Sequence, residues 1–218
     1  MINLEVAKNF RQLGKKIICI GRNYKEHAAE LGNKLTTKPL MFFKPTSAYI
    51  SPGQAIKIPV GCKNLQHEVE LGVVIGRQAT KIDQKNAWDY IAGYALALDM
   101  TARDLQDEAK KQGHPWLLAK GFDTSCPVSD FIPKDRIPDP YNIDLWLKVN
   151  GQLKQKGNTK DMIFDIPTML AHATQYVTME PGDLLLTGTP SGVSTLKAGD
   201  EIECGIGDLI TMKFPVQA

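Results

Sequence analysis

The 218-residue sequence lacks the cysteine patterns of a zinc site or a disulfide framework. It contains no Cys-x-x-Cys pair, and its four cysteines are scattered along the chain at Cys19, Cys62, Cys126 and Cys204. Isolated cysteines of this kind are typical of reduced thiols in a cytosolic type of compartment.

The sequence also lacks the glycine-rich loops of nucleotide sites. It has no G-x-G-x-x-G, and the loop from Gly188 to Gly192, GTPSG, does not carry the Lys-Ser/Thr ending of a Walker loop. A nucleotide site is therefore not expected. The same loop follows an apolar run, and its threonine hydroxyl and backbone N–H groups can bind a ligand carboxylate.

A large excess of one charge is absent as well. Lysine and arginine total 26 against 24 acidic residues, so the net charge of +2 gives no basic field for nucleic acid or anionic lipid. The start, MINLEVAKNFRQLGKK, has no apolar h-region, and no apolar run reaches the length of a membrane span. These features predict a soluble, cytoplasmic protein whose partners are small molecules or other copies of itself.

The arrangement of apolar runs predicts an α+β domain with a single core. Residues 143–149, IDLWLKV, alternate strictly, and Asn150-Gly151 predicts a hairpin with the residues that follow. Asp165 and Pro167 predict the start of a helix. Residues 84–92 have a helical pattern, and Thr101 is an N-cap candidate for a helix after the apolar strand 93–100.

Residues 67–75, HEVELGVVI, form the stretch with the clearest chemical content. In a β-strand, alternation places Glu68 and Glu70 on one face and the apolar side chains on the other. Two carboxylates this close favour a shared divalent cation. The alternative is the solvated face of an edge strand.

His27 and Glu30 lie three residues apart in a predicted helix that follows the first strand and the turn at Arg22. They share one helix face, and a carboxylate can orient the histidine ring as a base. An ordinary surface ion pair has the same spacing.

A third group of polar residues follows the strand 93–100. Asp99, Arg103 and Gln106 can point into one cavity above the strand end. Lys120 lies in an apolar stretch and either extends outward or meets an anion, and Lys44 either faces a ligand carboxylate or is solvated.

Six motifs in order resemble the fumarylacetoacetate hydrolase family, specifically its short acylpyruvate hydrolase branch: GRNYKEHAAE, FFKP, HEVELGVVIG, ALDMTARDLQ, WLLAKGFD and LLLTGTPSGV. The resemblance implies a fumarylacetoacetase-like mixed β-roll with flanking helices and antiparallel hairpins in the C-terminal half. It implies an N-terminal segment, 1–16, and one catalytic domain, 17–218, in a homodimer.

The resemblance also assigns roles to residues of this chain. Glu68, Glu70 and Asp99 would bind Mg²⁺ or Mn²⁺, which agrees with the preference of hard cations for oxygen ligands. His27, Glu30 and Lys120 would be catalytic, with the histidine and Glu30 activating water. The substrate-binding candidates are Arg22, Lys44, Arg103, Gln106 and Thr189.

These assignments predict metal-dependent hydrolysis of a carbon–carbon bond in 2,4-dioxo acids, such as acetylpyruvate or fumarylpyruvate, to pyruvate and a carboxylate. The metal would stabilise the pyruvate enolate that leaves. The same chelate serves an oxaloacetate tautomerase or decarboxylase, or a 2-hydroxyhepta-2,4-diene-1,7-dioate isomerase. A non-catalytic protein that binds a metal and a 2-oxo acid is the remaining alternative.

Overall fold

Two β-sheets and the apolar layer between them form the centre of the protein. The structure is a computed structural model that describes residues 1–32 and 35–218. Residues 33 and 34, the end of the segment KEHAAELGNK, lie outside the described part of the chain. The α-helices are α1 Leu4–Lys8, α2 Phe10–Leu13, α3 Lys25–Glu30, α4 Arg103–Gln112, α5 Leu117–Lys120 and α6 Ile166–Thr174.

The strands are mostly short. They are β1 Ile17–Gly21, β2 Leu40–Lys44, β3 Tyr49–Ile50, β4 Ile56–Lys57, β5 Leu65–Gln66, β6 Val69–Ile75, β7 Ile91–Leu98, β8 Thr101–Ala102, β9 Cys126–Pro127, β10 Ile132–Pro133, β11 Asp144–Val149, β12 Gln152–Asn158, β13 Leu184–Leu186, β14 Thr195–Leu196, β15 Glu201–Ile206 and β16 Ile210–Gln217. Short 3₁₀ helices are Thr46–Ala48, Gln84–Tyr90, Lys134–Arg136 and Thr159–Asp161.

The larger sheet has the strand order β10-β7-β6-β13-β1-β2, and the five-stranded sheet has the order β12-β11-β15-β16-β4. Strand β13 lies between β1, with which it is parallel, and β6, with which it is antiparallel. The larger sheet therefore joins the N-terminal and C-terminal parts of the chain.

The main core lies between the two sheets. Val69, Leu71 and Val73 of β6 belong to the same buried cluster as Leu145 and Leu147 of β11. The opposite face of β6 is also covered, because Val74 belongs to a second cluster with α1, α2 and β13. All seven residues of β6 are consequently buried, and any polar side chain on this strand must find its partners inside the protein.

Several local predictions match the observed elements. The Asn150-Gly151 turn has φ values of 51° and 77°, the left-handed pair that a tight hairpin requires, and it joins β11 to β12. Asp165 caps α6, since its carboxylate accepts a hydrogen bond from the Thr168 N–H at 2.8 Å.

The helical pattern of 84–92 corresponds to a 3₁₀ helix, Gln84–Tyr90, which ends two residues earlier because Ile91 already pairs in β7. One local prediction was wrong. Thr101 is not an N-cap. It belongs to β8, and α4 begins at Arg103 with no side-chain cap from Ala102, since the Thr101 hydroxyl is used elsewhere.

No helix among the described residues is long and apolar enough to cross a membrane. All four cysteines are free thiols.

Candidate metal centre and active site

Three buried carboxylates converge where β6 and β7 lie side by side. One carboxylate oxygen from each of Glu68, Glu70 and Asp99 lies within 4.8 Å of the others, and the three side chains are almost fully buried. The backbone N–H of Asp99 donates to the Glu68 carbonyl at 2.8 Å, which fixes the two strands relative to each other at this point. The strand alternation thus brings Glu68 and Glu70 to one side, and the neighbouring strand supplies Asp99.

Lys120 lies in the middle of this cluster. Its Nζ donates to Glu68 Oε2 at 2.9 Å, to Asp99 Oδ2 at 2.7 Å and to the hydroxyl of Thr101 at 2.6 Å. Of the two orientations that the sequence allowed for Lys120, the structure shows the one that meets anions. Burial opposes the charge of this lysine, but Asp99 and Glu68 outweigh burial and raise its pKa.

Lys44 contacts the same carboxylates and is buried. Its Nζ lies 2.8 Å from Asp99 Oδ1 and donates to the carbonyls of Met100, at 3.1 Å, and Lys120. Asp99 Oδ1 nevertheless has no donor aligned for a hydrogen bond among the described residues. One oxygen of this buried carboxylate thus remains able to accept a further ligand.

Arg103 and Gln106 lie on one face of α4. The Arg103 guanidinium bonds Glu68 Oε1 at 2.5 Å, Gln106 Oε1 at 2.7 Å and Gln66 Oε1 at 2.8 Å. Burial raises the pKa of Glu68, whereas Lys120 and Arg103 lower it by more, and the pKa of this carboxyl is held far below its usual value. Glu68 is therefore an ionised carboxylate.

Glu70 differs from its two neighbours because no side-chain cation contacts it among the described residues. Its Oε2 accepts the Gly188 backbone N–H at 2.7 Å. Burial and the adjacent charges of Asp99 and Glu68 raise its pKa well above the usual value. A cation between the three carboxylates would oppose that shift, because it favours the ionised form of Glu70.

The donor set agrees with this requirement, because it consists of carboxylate oxygens, the ligands that Mg²⁺ and Mn²⁺ prefer. These three residues can therefore hold a divalent metal ion.

His27 and Glu30 are joined as the helical spacing predicts. His27 Nδ1 lies 3.1 Å from Glu30 Oε2, and Glu30 Oε1 accepts the Gly192 N–H at 3.0 Å. His27 is buried, while the Glu30 side chain is 32% exposed, so the pair lies at the edge of the site. His27 is also close enough to Glu68 to help lower its pKa.

A narrow cleft with an accessible volume of about 30 Å³ reaches Glu68 of this cluster. Five of the predicted site residues besides Glu68 line it: Arg22, His27, Arg103, Gln106 and Lys120. Arg22 takes a left-handed backbone conformation, φ 59°, directly after β1. Such strain in a residue other than glycine often accompanies a functional site.

Thr189 has another environment. Its hydroxyl donates to the Val69 carbonyl at 2.8 Å and accepts from Gln155 at 2.8 Å. The sequence predicted that the loop 188–192 can bind a ligand carboxylate. In the structure its Gly188 and Gly192 N–H groups instead donate to the carboxylates of Glu70 and Glu30. A contact between Thr189 and the substrate stays a prediction. Because the hydroxyl already donates one hydrogen bond and accepts another, only its second lone pair could accept a bond from a substrate.

The sequence interpretation missed five residues of the cleft: Gly21, Leu31, Phe42, Lys110 and Trp116. The Lys120 ammonium lies 4.9 Å from the centre of the Phe42 ring, and Lys110 lies 5.8 Å from that of Trp116. Lys110 was detectable, because it follows Arg103 by seven residues and shares its helix face.

The fold and the site define a class, an α+β protein with a buried cluster of three carboxylates that can hold a divalent cation. The family described as fumarylacetoacetate (FAA) hydrolase C-terminal matches residues 16–217. The chain belongs to this family, and the predicted α+β class and family are confirmed.

Two curated proteins are similar to this chain over nearly its whole length. An oxaloacetate tautomerase, mitochondrial, from Rattus norvegicus is 50% identical over 217 residues, covering 100% of this chain and 98% of the relative. An oxaloacetate decarboxylase, mitochondrial, from Dictyostelium discoideum is 52% identical over 209 residues, covering 95% and 96%.

Among solved structures, fumarylpyruvate hydrolase from Pseudomonas aeruginosa, in complex with Mn²⁺ and pyruvate, has a TM-score of 0.89 at 31% identity. The match covers 94% of this chain and 90% of that one.

The predicted cytoplasmic location was wrong. The finding that contradicts it is that the relatives from rat and Dictyostelium discoideum are both named mitochondrial. The sequence pattern used for that prediction did not address mitochondrial import, because import segments are amphipathic and basic rather than apolar.

Proposed function

We propose that this protein is a divalent-metal-dependent enzyme that interconverts the enol and keto forms of oxaloacetate. The observation that carries the proposal is the carboxylate cluster of Glu68, Glu70 and Asp99 with the Lys120 ammonium bonded to two of them. The relatives named oxaloacetate tautomerases, which match nearly the whole chain, support this choice of reaction.

The charges of the site favour a dianionic substrate. The three carboxylates are balanced by three buried cations, Lys44, Lys120 and Arg103. A divalent metal ion would add two positive charges, which a dicarboxylate such as oxaloacetate would neutralise. Arg22 and Lys110 at the cleft add positive charge that attracts such an anion.

The predicted roles of the residues follow from their positions. Glu68, Glu70 and Asp99 would hold Mg²⁺ or Mn²⁺, which supplies a Lewis acid that stabilises the enolate form of a 2-oxo acid. Arg103 and Gln106 would orient the substrate carboxylates from α4, with Arg22 and Lys44 as further contacts. Lys120 would stabilise negative charge on the substrate oxygen.

Proton transfer between oxygen and C3 needs a group that can accept and return one proton. His27 Nδ1 is engaged with Glu30, so Nε2 is the ring nitrogen available to the substrate. Glu30 is itself held by the Gly192 N–H, which keeps the ring in one orientation. We therefore assign the proton transfer to His27, with Glu30 as its orienting partner.

The test follows the disappearance of the enol form of oxaloacetate by its ultraviolet absorbance. The purified protein with Mg²⁺ or Mn²⁺ should accelerate this change, EDTA should abolish the acceleration, and added Mn²⁺ should restore it. Asp99→Asn should lose the activity, whereas the matched surface variant Glu203→Gln should keep it. Enol loss no faster than in buffer would refute the proposal.

A second candidate is the hydrolysis of acylpyruvates, which the His27 and Glu30 pair favours because it can also deprotonate water. The similarity to fumarylpyruvate hydrolase supports it. Pyruvate release from acetylpyruvate and fumarylpyruvate measures this activity, and CO₂ release from oxaloacetate measures decarboxylation. If Glu30→Ala abolishes hydrolysis and spares tautomerisation, the two reactions share the metal and differ in the base.

A further inference from the structure

Gln155 is a fully buried amide in β12, outside the set of residues that the sequence singled out. Its Oε1 accepts from the Val69 N–H at 3.1 Å and contacts His67 Nδ1 at 2.9 Å. Its Nε2 donates to the Thr189 hydroxyl and to the Pro190 carbonyl, both at 2.8 Å. The amide thus has a complete set of hydrogen bonds without any solvent.

The orientation of this amide is fixed by its neighbours. A backbone N–H can only donate and a carbonyl can only accept, so the amide oxygen must face Val69 and the nitrogen must face Pro190. His67 Nδ1 consequently carries a proton, and its Nε2 lies 2.8 Å from the Ser194 hydroxyl. The hydrogens of the Gln155 amide and of His67 Nδ1 thus have one consistent assignment.

Val69 is the residue between Glu68 and Glu70, and its backbone has an unusual environment. Strand β13 pairs with β6 only as far as Leu186 opposite Gly72. Beyond that point, two side chains replace the neighbouring strand at Val69. Gln155 accepts its N–H, and Thr189 donates to its carbonyl. We call these two contacts the Val69 clamp.

We propose that Gln155 is a positioning residue that, through the Val69 clamp, holds Glu68 and Glu70 at the spacing that a divalent cation needs. This inference rests on the metal centre of the proposed function. The same amide bonds the Pro190 carbonyl, within the loop whose Gly188 N–H holds Glu70 and whose Gly192 N–H holds Glu30. Gln155 therefore joins the strand of two metal ligands to the loop that contacts both Glu70 and the His27 partner.

The experiment measures Mn²⁺ affinity directly, from the electron paramagnetic resonance signal of free Mn²⁺. Gln155→Met keeps the length of the side chain and removes its hydrogen bonds, and Gln155→Glu keeps its shape and removes its donors. Each should weaken Mn²⁺ binding by about 10- to 100-fold, the usual effect of losing a group that orients metal ligands. Excess Mn²⁺ should restore much of the lost kcat.

The matched control is Gln152→Glu, at an exposed position of the same strand, which should bind Mn²⁺ like the unaltered protein. Circular dichroism and thermal unfolding identify the variants that fold. A folded Gln155 variant with unaltered Mn²⁺ affinity would overturn the proposal. If neither Gln155 variant folds, Thr189→Val tests the other half of the clamp, and unaltered Mn²⁺ affinity there would overturn it equally.

The outcome separates this inference from the reaction itself. If the unaltered protein binds Mn²⁺ but does not tautomerise oxaloacetate, the proposed function is refuted. The Mn²⁺ titrations of the Gln155 variants would still decide the role of Gln155. A protein that binds no Mn²⁺ would overturn both.

Discussion

Strands β6 and β11 have similar lengths and contribute to the same core, yet they differ in how far their polar residues are exposed to solvent. Every residue of β6 is buried, whereas β11 alternates between buried apolar residues and more exposed positions such as Asp144 and Lys148. A charged side chain on β11 meets water, so it needs no partner. Charged side chains beside β6 must be paired, and such pairs are therefore informative about function.

Ion pairs of the two regions show the same contrast. Lys120 lies 2.7 Å from Asp99, with both side chains almost fully buried. Lys148 on β11 lies 4.0 Å from Glu203, with side chains 40% and 27% exposed. Removal of one partner should lower the free energy of unfolding strongly only for the buried pair.

The largest expected effect comes from Lys120→Met. It leaves Glu68 and Asp99 without their shared cation and should lower the free energy of unfolding of the metal-free protein by about 3–5 kcal/mol. Lys148→Met should change it by less than ~0.5 kcal/mol. Denaturant unfolding of both variants measures the difference. Equal losses in the two variants would remove the distinction between the regions.

Glu70→Gln separates metal binding from folding. Since burial and the neighbouring carboxylates already raise the pKa of Glu70, the neutral amide should leave the metal-free protein equally or more stable. Mn²⁺ affinity should fall by more than ~100-fold, beyond the loss expected for a group that only orients ligands. Titration with Mn²⁺ and denaturant unfolding of the same sample check both parts, and a less stable metal-free variant would contradict the first.

Gly151→Ala tests the hairpin of the more exposed region. At φ 77° a Cβ is unfavourable, and the variant should lose about 1–2 kcal/mol of stability. Mn²⁺ affinity and tautomerase rate should be unaffected, because Gly151 is exposed at the tip of the hairpin and an added Cβ has no neighbour within 4 Å. Thermal unfolding with a parallel rate assay measures this, and a changed rate would link the turn itself to the site.

The smallest effect is expected at Asp104, in the first turn of α4. Burial opposes its charge, but several hydrogen bonds, the largest of them from the Lys63 N–H at 2.7 Å, together outweigh burial and lower its pKa. The carboxylate therefore adds stability above its usual pKa of 3.8, which is lost as the pH falls through the lowered value. Asp104→Asn should cost about 0.5 kcal/mol at neutral pH after allowance for solvent screening, and nothing in strong acid. Unfolding at several pH values checks the trend.

The sequence predicted those parts of the site whose residues lie close together along the chain. Alternation along one strand correctly grouped Glu68 with Glu70, and helical spacing correctly joined His27 to Glu30. Both signals connect residues within one element.

Contacts between distant elements left no comparable signal. Lys44 reaches Asp99 across 55 positions of the chain, and Gln155 reaches Val69 across 86. Thr101 was misassigned as a cap for the same reason, since the group that occupies its hydroxyl, Lys120, belongs to another helix. Periodicity shows which way a side chain faces on its own element, and it does not show what packs against that face.

The place of β13 in the larger sheet has a consequence for synthesis on the ribosome. Residues 184–186 lie between β1 and β6, so in a nascent chain that ends before them each of these two strands has one edge with unpaired backbone groups. The sheet can close only after about five-sixths of the polypeptide has been translated, because Leu184 must first reach Ile17. Such long-range pairing slows folding, and we expect chaperones to bind the incomplete chain at its unpaired strand edges.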